Sequence, residues 1–318
     1  MNVVESIEKA KGKTLFSFEI LPPLKGKGID ALYAAIDPLM EFNPSFINVT
    51  YHREEYVYRK ENDGLLRRIS TRKRPGTVGI CSAIQNKYKV EAVPHLTCGG
   101  FSKEETENAL IDLNFLGIHN VLALRGDPIK SEPNFVPDEF GHSYASELVG
   151  QIVNMNNGIF LNEEMMNSAP TKFCIGVAGY PEKHYESMSM KTDIKHLKEK
   201  IDAGAHYIVT QMFFDNQKFF EFVELCREAG ITVPIIPGIK PITTPRHLHF
   251  LPKTFKVDFP EELASELDAC KNKEQIREVG IEWAIKQAKE LKAAKVPSIH
   301  FYTMSRSNAI HRIVSEVY

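Results

Sequence analysis

The chain has 318 residues, 43% of them hydrophobic and 25% charged, with a formal net charge of -2. This is ordinary globular composition without the positive field that nucleic acid or an anionic membrane surface calls for, and no apolar run is long enough to span a bilayer. Scattered cysteines (Cys81, Cys98, Cys174, Cys226, Cys270), none in a CxxC pair, and an N-terminus too polar for a secretory signal point to reduced thiols in the cytoplasm rather than a disulfide framework.

Strand-like and helix-like segments then alternate. TLFSFEIL (14–21) is a short apolar, β-branched and aromatic run that reads as the first strand. IDALYAAIDPLMEF follows as a helix, and FINVTY (46–51) as the second strand. A polar, basic segment leads to the third, EAVPHLTC (91–98). Ser102 and Glu105 form a capping-box signature ahead of Ala109, Leu110, Leu113 and Leu116, and Gly117 is placed to end that helix. HNVLALRGD (119–127) is the fourth strand with its loop, and a helix follows from about Tyr144 to Met155. KFCIGVAGY (172–180) is the fifth strand; Ile194, Leu197 and Ile201 then recur at helical spacing up to Gly204. HYIVTQMFF (206–214) is the sixth, followed by a helix carrying Phe219, Phe220, Val223 and Leu225 and ended by Gly230. TVPIIPGI (232–239) is the seventh, a helical region fills 245–295, SIHFYTM (298–304) is the eighth, and SNAIHRIVSEV is a terminal helix.

Eight strand candidates, each followed by a helix or by a segment able to hold one, predict a (β/α)8 barrel, class α/β, as one domain over 1–318. The rival is a doubly wound open sheet, which usually carries a Gly-rich phosphate turn after its first strand; here that strand runs into Pro22-Pro23, and no GxGxxG occurs. Residues 128–142 and 154–171 read as long loops, and the basic run Arg67, Arg68, Arg72, Lys73, Arg74 as a solvated helix end and loop.

In a barrel the functional groups gather at the C-terminal strand ends. Those ends are polar here: Glu19, Thr50, His95, Arg125 with Asp127, Tyr180, Gln211, and Tyr302 with Arg306. A polar side chain within an apolar strand costs about 1–3 kcal/mol unless partnered, so convergence of this many on one rim favours a site. Glu19 sits among Phe16, Phe18, Ile20 and Leu21, where poor solvation raises a carboxyl toward neutral pH. Such a group either donates a proton or pairs with a buried Arg or Lys. No metal signature emerges: His247-x-His249 has no carboxylate companion and its spacing does not face one way on a helix. Lys200 lies in a helix pattern, unlike the strand lysine of a Schiff-base aldolase.

FSFEILPP, VTYHREE, EAVPHLTC, NVLALRGDP, AGYPEKH, DAGAHYIVTQMFFD, IIPGIKPI and HFYTMSR occur in this order, and together they resemble the methylenetetrahydrofolate reductase family from about residue 14 to 318. The resemblance implies the catalytic barrel alone, holding FAD, using NADH or NADPH, and reducing 5,10-methylenetetrahydrofolate to 5-methyltetrahydrofolate in two alternating half-reactions that supply methyl groups for methionine synthesis. It implies that Glu19 is the general acid toward folate N10 and that Asp127 stabilises the iminium cation beside the flavin. It places Thr50, Tyr51, His95, Arg125, Gly126, Tyr144, Ala145, Tyr180, His184, Asp193 and Lys200 at FAD, and Gln211, Leu251 and Arg306 at the substrate. A homo-oligomer is also implied, with no nucleic-acid or membrane partner. VTYHREE lacks the Gly that many relatives carry after VTY, and residues 52–90 run longer than in short bacterial members. Competing readings are another barrel flavoprotein of the proline-dehydrogenase kind, an aldolase, or a folate-binding barrel without catalysis.

Overall fold

The structure is a computed structural model; it describes the chain except residues 72, 130, 131, 133, 163–167, 305 and 306. Eight parallel strands close into a barrel in the order β1 (Leu15–Ile20), β10 (Ser298–Tyr302), β9 (Ile235–Ile239), β8 (Tyr207–Met212), β7 (Cys174–Gly179), β6 (Asn120–Leu124), β5 (Glu91–Thr97) and β2 (Phe46–Val49). This is the expected (β/α)8 barrel. Its helical shell includes α4 (Lys103–Phe115), α5 (Ala145–Asn156), α6 (Met190–Asp202), α7 (Asn216–Glu228) and α11 (Ser307–Val317). Ser102 caps α4 in the anticipated box, accepting from Glu105 N, and Gly117 has φ +71 just beyond that helix.

The strands are buried on both faces, and their period of two sorts the residues between two layers. Phe16, Phe18, Ile20, Ile47, Val49, Ile175, Val177 and Ile208 pack outward in one core with the helices. Phe46, Val93, Leu122, Cys174, Tyr207, Val209 and Ile236 form a second cluster lower in the barrel. Glycine makes room for two barrel tyrosines: a Cβ on Gly176 would lie 2.4 Å from the Tyr207 ring, and one on Gly238 would lie 2.6 Å from the Tyr302 ring and 2.4 Å from Thr210 O.

Two segments depart from the sequence reading, and a third, read as helical, is resolved into separate helices. The N-terminus forms α1 (Val3–Lys9), capped by Asn2, with Val3 packed into the inner cluster and its N–H donating to Asn120 Oδ1 at 2.9 Å. The 52–90 segment holds an antiparallel hairpin, β3 (Glu55–Lys60) and β4 (Leu66–Thr71), then α3 (Thr77–Tyr88). Arg67 and Arg68 therefore lie on a strand, not at a helix end. The 245–295 region divides into α8 (Arg246–Phe255), α9 (Glu261–Asp268) and α10 (Lys273–Ala293). No helix among the described residues is long and apolar enough to cross a membrane.

Candidate active site

Alternation along β1 turns Ser17 and Glu19 into the barrel while Phe16, Phe18 and Ile20 join the outer core. Ser17 Oγ lies 3.0 Å from His300 Nδ1 and 3.2 Å from Ser298 Oγ. One layer higher, Glu19 Oε2 is 3.5 Å from His95 Nε2, which is 3.4 Å from Asn48 Nδ2. The backbone of Glu19 is clamped: its carbonyl accepts from Thr303 Oγ1 at 2.6 Å, and its register partner on β10 is Tyr302, whose hydroxyl donates to Thr210 O at 2.6 Å.

Burial decides the protonation of this layer. It pushes the Glu19 carboxyl from its ordinary 4.5 up to about 8, with Lys240 pulling in the opposite direction. Burial, with the His52 charge, pushes His95 down to about 3, and burial with His95 does the same to His300. The close approach of Glu19 and His95 is therefore a contact between a neutral acid and a neutral imidazole, not an ion pair. At neutral pH the barrel mouth presents a carboxyl that still carries its proton.

The rim supplies the remaining predicted residues. Thr50 is half-buried and bonds Ile20 O at 3.3 Å, and Tyr51 packs on Phe101 with ring centroids 4.8 Å apart. Arg125 lies over the Phe135 ring at 5.0 Å and donates to Glu186 Oε2 at 2.5 Å. Gly126, with φ +88, lets the chain turn beside Thr97; a Cβ there would meet the threonine at 3.3 Å. Asp127 is exposed at the rim, within electrostatic range of Tyr180 and His52. Tyr144 and Ala145 begin α5, with Tyr144 exposed. Gln211 is half-buried, its Oε1 accepting from Met212 N at 3.0 Å.

A second group stands together beside β7. Tyr180 and His184 are edge to face at 4.7 Å, and Asp193 accepts from His184 N at 3.1 Å and Ser187 Oγ at 2.8 Å. Lys200 donates to Ala178 O at 2.6 Å; burial pushes its ammonium down to about 8, against Asp193. Leu251 is fully buried in a separate apolar cluster with Met212, Phe214 and Ile242, against which Tyr302 also packs. Arg306 lies outside the described residues. Among the described residues no group of three or more His, Cys, Asp or Glu side chains is placed to hold a metal ion.

A sequence model of the family described as methylenetetrahydrofolate reductase matches residues 4–318. The chain belongs to the methylenetetrahydrofolate reductase family. A 5,10-methylenetetrahydrofolate reductase of Pectobacterium carotovorum is 31% identical over 312 residues, covering 97% of this chain and 92% of that protein. The maize methylenetetrahydrofolate reductase (NADH) 1 is 34% identical over 317 residues, covering 96% of this chain and 49% of the plant protein. The chain thus spans about half the length of the plant relative and nearly all of the bacterial one. Among solved structures, a Clostridium thermocellum protein described as binding two copies of 5-methyl-5,6,7,8-tetrahydrofolic acid shares the fold with TM-score 0.57 at 14% identity, covering 98% of this chain and 96% of that one.

For a methylenetetrahydrofolate reductase barrel, reading strand ends alone missed Asn48, His300, Thr303 and Lys240. The first two are inward positions at period two from Thr50 and Tyr302, so alternation carried back from the named residues finds them. Lys240 is inward by the same count from Ile236 and Gly238.

Proposed function

We propose that this chain reduces 5,10-methylenetetrahydrofolate to 5-methyltetrahydrofolate with NADH or NADPH at a bound FAD. The observation that carries this reading is the buried carboxyl of Glu19, held protonated to about pH 8 inside the mouth of a barrel of this family. The folate bound by the clostridial neighbour is consistent with such a ligand in this fold.

The residues at the mouth suit a flavin. Asn48 Oδ1, beside His95, is buried without a hydrogen-bond partner, as expected where a polar ring is to be met. The Gly126 turn would let the backbone approach that ring closely, while Arg125 and the Tyr180–His184 loop would hold more distant parts of the cofactor. Bound FAD would supply the hydride chemistry, taking a hydride from the nicotinamide and returning one to the folate in a second half-reaction.

The protein's own part is proton placement and charge. Glu19 would give its proton to folate N10, so that the bridge to the exocyclic carbon opens; general acid help of this kind is worth about 10²–10⁴ in rate. Asp127, a carboxylate at the rim, would favour the cation formed on the folate. Gln211 would hold the pterin and the nicotinamide in turn through its amide. Arg306 is the proposed partner of the folate carboxylate.

The test is production of 5-methyltetrahydrofolate by the purified, flavin-loaded chain with each nicotinamide in turn. Turnover with one or both supports the reading; no product with either overturns it.

A further inference from the structure

Glu19 is faced by side chains from several strands: Asn48 from β2, His95 from β5, Tyr302 from β10, and Lys240 from the end of β9, with His300 of β10 one layer below beside Ser17. Burial keeps both imidazoles neutral and pushes the Tyr302 phenol well above its ordinary range. Lys240 is the cation of this set, and nothing in the proposed reaction uses it.

Its position follows from local sequence. In IIPGIKP, Ile235 and Ile239 pack outward and Ile236 faces the inner cluster, so Lys240 falls on the inward side. Pro241 disfavours helical backbone at the preceding residue and so carries the strand direction on through Lys240. The side chain is 7% exposed, and Nζ donates to Tyr302 O at 3.4 Å, the carbonyl of the residue in register with Glu19. A lysine placed this deep is held against β10, the strand that pairs with β1, rather than free to reach solvent.

We propose that Lys240 is a positioning residue for the folate reaction, a cation built into the barrel wall that makes Glu19 a stronger acid by stabilising the carboxylate left behind. This rests on the reading of Glu19 as proton donor. The transferred species is one proton, from the Glu19 carboxyl to a substrate nitrogen; the O–H bond breaks, an N–H bond forms, and the carboxylate remains facing the Lys240 ammonium until a proton returns. Without the cation, Glu19 keeps its proton to higher pH yet gives it up less readily. A lysine that merely tied β9 to β10 would affect stability and leave both properties unchanged.

The experiment compares Lys240→Met and Lys240→Arg with the parent enzyme, flavin loaded, in two measurements. The Glu19 carboxyl is titrated by isotope-edited infrared difference spectroscopy, its band assigned by its absence in Glu19→Gln. The folate half-reaction is followed across pH by rapid mixing. In Lys240→Met the carboxyl midpoint should rise on the order of one pH unit, the alkaline limb of the rate profile should rise with it, and the low-pH plateau should fall severalfold. Lys240→Arg should keep the parent midpoint. Lys240→Gln retains a donor for the Tyr302 carbonyl and should reproduce the methionine result even if the methionine variant folds poorly. A midpoint that stays or falls in both neutral variants, or an arginine variant that behaves like them, overturns the proposal. A raised midpoint in a protein that makes no 5-methyltetrahydrofolate keeps the electrostatic role of Lys240 and removes the folate reading instead.

Discussion

Glu19→Gln should stabilise the folded protein at neutral pH even as it removes the proposed proton donor. Burial lifts the native carboxyl from 4.5 to about 8. Between these values the native protein keeps a proton that the unfolded chain has released. The native state therefore binds more protons, and its stability falls as pH rises through the interval; below about 4.5 both states are protonated and the penalty vanishes. At about 1.4 kcal/mol per pH unit, the span from 4.5 to 7 costs the native protein about 3 kcal/mol. Only 8% of the residue is exposed, so solvent screening removes little of this. Glutamine keeps the shape and is neutral in both states. Urea denaturation of the flavin-saturated parent and variant from about pH 4.5 to about pH 8.5 should show a stability gap that widens with pH and reaches about 3 kcal/mol near pH 7. A gap independent of pH, or one that narrows as pH rises, would refute the claim that burial keeps this acid protonated.

Two glycines should respond in opposite ways. Gly238→Ala puts a methyl 2.4 Å from Thr210 O and 2.6 Å from the Tyr302 ring, and thermal unfolding should show a loss of about 1–3 kcal/mol or more. Gly150→Ala, within α5 and with nothing within 4 Å of the new methyl, should gain about 0.5–1 kcal/mol in the same assay. Replacing residues 56–70 by a short Gly-Ser linker should change stability by less than about 1 kcal/mol. Tyr56, Val57, Tyr58, Leu65 and Leu66 are exposed on this hairpin, and Glu55 and Thr71 already lie opposite one another at its base. A larger loss in urea denaturation would mean that the hairpin supports the barrel.

The barrel was legible because each of its strands is an apolar run bounded by turn residues, and helices with strong end signals, such as α4 between Ser102 and Gly117, separate several of them. What escaped lacked that contrast. In α1 only Val3, Val4 and Ile7 pack against the inner cluster, and a seven-residue helix is too short for that spacing to stand out as a periodic stripe. The β3–β4 hairpin is built largely of charged and aromatic residues exposed on both faces, with Asp63-Gly64 as its turn signal. In α3, TVGICSAIQNKY mixes glycine and β-branched residues with its apolar positions, which weakens the helical reading.

At the site, Glu19 was legible as an acid in an apolar run. Its surroundings come from strands that no local pattern brings together: neutral His95 across from β5 and the lysine at the end of β9. Lys240 was overlooked because a lysine followed by proline after a short apolar run reads as a strand leaving for solvent. Period two carried one residue further places it inside. Leu251 shows the opposite difficulty: its apolar character was plain, but its full burial among Met212, Phe214 and Ile242 is set by how α8 folds back onto the barrel.

The central claim is that the Glu19 proton serves the folate and not the nicotinamide. Rapid mixing of flavin-loaded Glu19→Gln with NADH or NADPH, and separately of the reduced variant with methylenetetrahydrofolate, tests it directly. The account predicts cofactor reduction close to the parent rate and folate-driven reoxidation slowed by about a hundredfold or more. Equal loss in the two half-reactions, or none in the second, would contradict it.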